Sequence, residues 1–385
     1  MRILHTADLH LGRMLYGRSL LDDQRYFIEQ VLLPAVKRER TDLVVIAGDI
    51  FDRQVAPGDA IALFDRLVTM LTQDAKVPVV ACAGNHDSAQ RLSFGQALLK
   101  SGGLYLYTSL AQACAPARFE DEYGPVEVYA LPHFDLFSAR DALGDNTVAS
   151  LGDAYRRLAG AMRAQFDPAA RHVLLAHCFV SGAKKPDGTL YVGDSAQISA
   201  DVFDGFDYVA LGHLHGPQPV GRSAVRYSGS PLAYSFDECG QKKGLTLVEL
   251  EAPGGAPAVT QLPVQPLHGV RILTGKFDEL CAAAKEDAQA DDYLYVQLTD
   301  PAPVFEPVAR LREFYPNLLG LSLAFFDRAL DEGRQVLSDK VAKGVDDTAL
   351  FTAFLDQVCG VKAEDADVAL FEAAAKAARG EEAAQ

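Results

Sequence analysis

No apolar run in this sequence approaches the ~18 residues that a membrane-spanning helix needs, so no span is expected. Its six cysteines (Cys82, Cys114, Cys178, Cys239, Cys281 and Cys359) are widely spaced and form no C-x-x-C pair. That excludes a disulfide scaffold and a zinc knuckle. An apolar signal core is also missing: Met1-Arg2-Ile3-Leu4-His5 enters a strand at once. Basic residues are short, with 36 Lys and Arg against 52 Asp and Glu, a formal charge of −16. Phosphate contacts need cations, so this balance argues against DNA binding by the isolated chain. A local basic patch can nevertheless coexist with an acidic total. No internal repeat or low-complexity tract stands out. What remains reads as an intracellular, cytoplasmic protein of 385 residues, 49% hydrophobic and 23% charged, with room for two or three domains.

What is present is a series of apolar strands that each end in Asp, Asn or His. Residues 2–7 read as the first and run into Asp8-Leu9-His10-Leu11-Gly12. Leu43–Ala47 ends at Gly48-Asp49-Ile50-Phe51-Asp52, and Val77–Ala83 ends at Gly84-Asn85-His86-Asp87. Helical periodicity is read at Gln24–Arg38, from Asp59 to about Leu71, and near Ser93–Lys100. Further strands are expected at Val126–Leu131, His172–Ala176, Asp207–Leu211, Val225–Tyr227 and Leu245–Leu250. Two of these end in His177 and in Gly212-His213-Leu214-His215. Apolar strands alternating with helices imply an α/β protein whose sheet is covered on both faces. Such sheets place ligands at the C-terminal ends of their strands.

The stretch from Glu251 to Pro266 is rich in Pro, Gly and Ala and reads as a linker or peripheral hairpin. Beyond it, Val270–Leu273, a helix near Asp278–Gln289, Tyr293–Leu298, a helix near Pro307–Phe314 and Leu318–Phe325 form a compact βαβαβ module. Ala-rich helices are expected at Asp347–Val358 and Ala363–Arg379. The chain therefore divides into domains 1–265, 266–328 and 329–385.

Asp8, His10, Asp49, Asn85, His177, His213 and His215 all lie within a few residues of a strand end and can converge. Seven ligands are too many for one tetrahedral zinc, and no thiolate is well placed. A mixed nitrogen and oxygen set suits two octahedral-leaning divalent ions, Mn²⁺ first, with Mg²⁺ or Fe²⁺ as alternatives. Asp49, on a central strand, is the bridging candidate. Two such ions roughly 3.5–4 Å apart clamp a phosphoryl group, which makes hydrolysis of a phosphate ester the expected chemistry. If Asn85 faces the metal, His86 faces substrate and acts as the general acid, with Asp87 orienting it. Taken singly, each motif has a plain structural reading: a turn at Gly48-Asp49, a core histidine at His177. Co-occurrence outweighs these readings, since five of the nine histidines lie in strand-exit motifs. His5, His133, His172 and His268 are assigned to structure.

The ordered series D-x-H, G-D-x-x-D, G-N-H-D, lone His and G-H-x-H, spanning residues 8 to 215, resembles the calcineurin-like metallophosphoesterases. The opening Met1–Gly12, Tyr227-Ser228-Gly229-Ser230-Pro231 and Ser235-Phe236-Asp237-Glu238 resemble the SbcD nuclease branch, relatives of the meiotic-recombination-eleven type repair nucleases. The resemblance implies a sandwich of two sheets flanked by helices, followed by a small α/β capping domain that binds DNA and by C-terminal helices that bind an ATPase. It further implies one Mn²⁺ on Asp8, His10, Asp49 and His215, a second on Asp49, Asn85, His177 and His213, and a catalytic His86. Asp52 stands where archaeal and eukaryotic relatives carry histidine, as in the bacterial branch.

The implied activity is Mn²⁺-dependent exonuclease and endonuclease cleavage of double-stranded DNA ends and hairpins in repair, recombination and replication. The implied setting is a nucleoid-associated heterotetramer in which a homodimer of this chain joins the SMC-like ATPase SbcC. Arg13, Arg18, Arg53, Lys184 and Lys185 follow the ligand loops and read equally as phosphate contacts or as solvated loop charge. Residues 328–385 carry seven Lys and Arg against twelve Asp and Glu, which argues against a DNA-binding tail. Their apolar faces suit docking in a partner's groove as well as packing on their own domain. The helices at Asp59–Leu71 and Ser93–Lys100 suit a dimer bundle or core packing. Two rival functions stand beside the nuclease: a small-molecule phosphodiesterase, and a structural adaptor with a vestigial metal site.

Overall fold

The computed structural model describes residues 1–184, 198–323, 347–357 and 361–378. The chain divides into two units, Met1–Val270 and Arg271–Gln385. The division after Val270 lies within a few residues of the expected 265/266. His268 explains the difference: its Nδ1 lies 2.9 Å from the buried Asp23 carboxylate and ties the segment to the first unit. The expected boundary at 328/329 lies outside the described residues.

The first unit is a sandwich of two six-stranded sheets. Its strands are β1 (Arg2–Thr6), β2 (Leu43–Ala47), β3 (Val79–Cys82), β4 (Leu104–Tyr107), β5 (Ala117–Asp121), β6 (Gly124–Leu131), β7 (Arg171–His177), β8 (Tyr208–Gly212), β9 (Gln218–Val220), β10 (Arg222–Tyr227), β11 (Gly244–Glu249) and β12 (Ala258–Pro263). One sheet runs β12-β11-β1-β2-β3-β4 and the other β9-β10-β8-β7-β6-β5. In the first, β1 to β4 are mutually parallel and β11 and β12 are antiparallel additions. In the second, β6, β7, β8 and β10 are parallel, with β5 and β9 antiparallel at the edges. Parallel strands covered on both faces need continuous apolar runs, and every residue of β2, β3, β7 and β8 is buried. Alternation decides which layer each side chain joins. Val173 and Leu175 enter the core between the sheets with Ile3, Val45 and Val80, while Leu174 and Ala176 pack on the helix-covered outer face. His5 Nδ1 lies 2.9 Å from the Tyr208 hydroxyl across the sandwich, and burial holds this imidazole neutral, down at about 3.

Several expected elements differ in detail. The first helix runs over 21–38 and contains a π turn at Phe27–Leu32 immediately before Pro34, where an α ladder would lose a donor. The helix expected at Ser93–Lys100 is two short ones, Ala89–Leu92 and Gln96–Ser101. They are separated by Gly95, whose φ of +70 ends the helical path. The stretch after Glu251 is a hairpin, with β12 antiparallel to β11. Strands β4 and β5 and helices Leu136–Leu143 and Leu151–Arg163 are additional to the sequence reading.

The second unit, with the strand Val270–Gly275 starting at its boundary, has the expected βαβαβ order: that strand, helix Phe277–Ala284, Tyr293–Leu298, helix Pro307–Arg312 and Leu318–Leu323. Leu294, Val296 and Leu298 of its central strand pack with Phe277, Leu280, Leu311 and Tyr315. The C-terminal helices are Asp347–Gln357 and Asp365–Ala378, with Phe351 stacked on Phe371 at 4.3 Å. No helix among the described residues is long and apolar enough to cross a membrane.

Candidate metal centre

The ligand candidates leave the two sheets at one edge of the sandwich: Asp8, Asp49 and Asn85 beyond β1, β2 and β3, with His177 at the end of β7 and His213 beyond β8. Adjacent exits are zipped by backbone bonds, Asp8 N–H to the Gly48 carbonyl and His10 N–H to the Asp49 carbonyl, both at 3.0 Å. Four of these residues turn in the left-handed region, with φ of 52 at Asp8, 43 at His10, 50 at Asp49 and 104 at His213. Side chains other than glycine rarely adopt that region, and such turns concentrate at functional sites. Buried Gln24 fixes the first loop by donating to the Leu9 and His10 carbonyls and accepting from Gly12 N–H.

The sheets approach closely here because glycine stands where any side chain would collide. A Cβ at Gly212 would lie 1.8 Å from the Ala47 carbonyl oxygen and 2.9 Å from His177 Nδ1. Backbone cannot swing aside as a flexible side chain does. Gly212→Ala is therefore expected to cost at least about 3 kcal/mol in chemical denaturation. A loss below ~1 kcal/mol would show that the seam is slack.

Around this seam the lone pairs converge. His177 Nδ1 donates to the Ala47 carbonyl at 2.8 Å, so its Nε2 faces inward, 2.9 Å from Asn85 Oδ1 and 3.4 Å from Asp49 Oδ2. His213 Nδ1 lies 3.1 Å from the same Asn85 oxygen. On the other side His10 Nε2 is 3.1 Å from His215 Nε2 and 3.6 Å from Asp49 Oδ2. Ligand atoms of Asp8, His10 and His215 lie within 4.8 Å of one another, as do those of Asp8, Asp49 and His177 and those of His10, Asp49 and His86. Asp8, His10, Asp49 and His177 are almost fully buried.

The electrostatics follow from this crowding. Burial raises Asp8 to about 6 and lowers His10 to about 3 and His213 to about 4, with the His177 charge helping to depress His213. Burial opposes ionisation of Asp49 and His177 too. Their mutual attraction prevails, holding Asp49 well below the carboxylate range and His177 up at about 9. The mixed oxygen and imidazole donors of the cluster fit divalent cations.

His86 is placed beside these groups with Nδ1 2.8 Å from the Asp52 carbonyl oxygen and its backbone N–H donating to Asp49 Oδ1 at 2.8 Å. The expected support from Asp87 is corrected by the structure. The Asp87 carboxylate turns inward and accepts backbone N–H groups of Gly84, Ile50 and Phe51 at 2.9–3.0 Å, joining the exits of β2 and β3. It is Asp52 that holds His86, through its main chain.

Of the expected phosphate contacts, Arg13 donates to the Asp52 carboxylate at 2.9 Å and Arg53 lies 3.6 Å from it. Arg18 and Lys184 are exposed, and Lys185 lies outside the described residues. Among histidines assigned to structure, His172 stacks on Phe166, whereas His133 lies at the cluster's border with its ring 6.3 Å from His177. Glu238 was not singled out as a site residue. Its carboxylate is 2.8 Å from His215 Nδ1, and its only sequence signal was the Ser235–Glu238 motif.

Residues 1–217 match the family model for calcineurin-like phosphoesterases. Residues 263–358 match the SbcD C-terminal model, described as the type 5 capsule protein repressor C-terminal domain. Among solved structures, a dimetal phosphatase from Danio rerio aligns over 69% of this chain and 98% of its own, at 13% identity and a TM-score of 0.41. With more than half its length matched to that first model, the chain belongs to the calcineurin-like phosphoesterases, metal-dependent hydrolases of phosphate esters.

Proposed function

We infer that this chain is the nuclease subunit of an SbcCD-type complex, hydrolysing phosphodiesters at double-stranded DNA ends and hairpins with two Mn²⁺ ions. One combination carries the reading: a full mixed-donor cluster at the sandwich edge on a chain whose C-terminal part matches the SbcD model. Asp8, His10, Asp49 and His215 would hold one ion, and Asp49, Asn85, His177 and His213 the other. Bound there, the ions supply Lewis acidity and a hydroxide nucleophile near neutral pH.

The protein's own groups do the rest. The Asp52 carbonyl accepts from His86 Nδ1–H and leaves Nε2 to face the phosphate, where the imidazolium form would give its Nε2 proton to the leaving oxygen and keep the one on Nδ1. The Asp49 carboxylate, accepting from His86 N–H, holds that loop in register with the cluster. Arg13 and Arg53 are partly neutralised by Asp52, so Arg18, Lys184 and a partner remain to bind the DNA backbone. This need fits the acidic total and a partner such as the SMC-like ATPase SbcC. The C-terminal helices, with Leu370 exposed at 73%, would be its docking elements. A homodimer is supported by exposed Ile61, Phe94, Leu98 and Leu99, which line a groove of about 460 Å³. Such an assembly would work at the nucleoid in the cytoplasm.

The test is to incubate the purified chain, with and without the ATPase, with blunt and hairpin DNA plus Mn²⁺ or EDTA. Mn²⁺-dependent DNA cleavage is expected. Hydrolysis of small phosphodiesters but of no DNA under either condition would make it a small-molecule enzyme, and inertness toward both would make it an adaptor.

A further inference from the structure

The motifs Tyr227–Pro231 and Ser235–Glu238 supply no ligand, yet they fold around the back of one. Gly229, at φ 74, lets this loop approach His215, since a Cβ there would lie 2.6 Å from the His215 carbonyl oxygen. Ser230 N–H donates to that carbonyl at 3.2 Å. Lys243 donates from Nζ to the same carbonyl at 2.9 Å, to Ser230 Oγ at 2.8 Å and to the Glu238 carboxylate. The other carboxylate oxygen of Glu238 faces His215 Nδ1 at 2.8 Å. Glu238 and Ser230 are buried, and the side chains of the Glu238–Lys243 ion pair are each 8% exposed.

Glu238 offers His215 a carboxylate oxygen, which accepts, while the Lys243 ammonium donates to the other oxygen of the same carboxylate. His215 must therefore carry its proton on Nδ1, which leaves the Nε2 lone pair facing His10 and Asp8. Without Lys243, the carboxylate would be a buried charge left with the imidazole and the longer contacts of the Ser230 and Ser235 hydroxyls. Without Glu238, His215 Nδ1 would lose the acceptor that selects between its two tautomers, and the ring would keep only its edge contacts with Tyr234 and His10.

Resting on the metal-centre reading above, we propose that the Glu238–Lys243 pair is a positioning device that locks the tautomer and orientation of His215 toward one cation of the two. Asn85, His177 and His213, which with Asp49 would hold the other cation, make their side-chain hydrogen bonds to one another and to the Ala47 carbonyl and not to Glu238 or Lys243.

The experiment titrates Mn²⁺ into metal-free protein by calorimetry, with bound Mn²⁺ counted by electron paramagnetic resonance. The chains compared are wild type, His215→Ala, Glu238→Leu, Glu238→Gln and Lys243→Met. His215→Ala identifies which equivalent belongs to that residue. Glu238→Leu is expected to weaken the same equivalent about 10–100-fold and to leave the other unchanged. Glu238→Gln, which keeps an acceptor for Nδ1–H, should fall between it and wild type. Lys243→Met should weaken the same equivalent and carries the test if the leucine variant does not fold. Ring ¹⁵N shifts of His215 should report Nδ1–H in the wild type. Two wild-type affinities in Glu238→Leu, or an Nε2–H tautomer, would overturn the proposal alone. A wild-type chain that binds no Mn²⁺ would overturn it together with the metal-centre reading.

Discussion

Replacing His86 with alanine is expected to slow phosphodiester cleavage about 10²–10⁴-fold and leave both metal equivalents bound. The loss is large because the imidazole would serve only the transition state, protonating an oxygen that gains charge as its bond to phosphorus breaks. Metal should be retained because Nδ1 is committed to the Asp52 carbonyl and the backbone N–H of residue 86 still reaches Asp49 in the variant. The check is single-turnover cleavage beside elemental analysis. His86 also lies within ligand distance of His10 and Asp49. Loss of one equivalent in His86→Ala would therefore reassign it from acid to ligand. A leaving group with a lower pKa should recover much of the lost rate if the role is proton donation.

Asp49→Ala is expected to be the more severe change. Asp49 Oδ2 lies between His177 Nε2 at 3.4 Å and His10 Nε2 at 3.6 Å, and so faces both halves of the cluster. Its Oδ1 fixes the His86 loop. One substitution thus removes the shared ligand and the register of the acid. Bound metal should fall from two equivalents to one or none. Activity should drop more than about 10³-fold, since a bound pair of ions contributes several kcal/mol of charge stabilisation. Retention of both ions with only a modest loss of rate would exclude a bridging role. Asp8 would then be the residue to examine, because its carboxylate also belongs to two of the three close groupings.

The strand-exit residues were legible in the sequence because burial on both faces forces apolar runs. Polar residues that interrupt such runs at the ends then stand out, as at Ala47-Gly48-Asp49 and Leu211-Gly212-His213. Asp87 departs from its expected role for a physical reason. Neighbours in a turn need not face each other, and its carboxylate bonds backbone contributed by the adjacent strand exit. The role of Asp52 on His86 is carried by a main-chain carbonyl, which no residue type announces. Lys243 reaches His215 from a loop with no periodicity, so only coordinates reveal it. Helix Leu151–Arg163 is the opposite case, absent from the sequence reading although Ala154, Tyr155, Leu158, Ala159 and Met162 repeat at helical spacing. Strand β4, at four residues, is too short for any period to show.

The seam of the sandwich has one more consequence. Asp49 and Asn85 leave one sheet while His177 and His213 leave the other, so each side of the centre includes groups from both. The thickness of the layer filled by Val45, Val80, Val173 and Leu175 is therefore also the gauge of the cluster. A methyl group added or removed deep in that layer, touching no ligand, would change the spacing of the donors at the rim. Choice among Mn²⁺, Mg²⁺ and Fe²⁺ would then be tuned by interior hydrocarbon as much as by the residues that touch the ion.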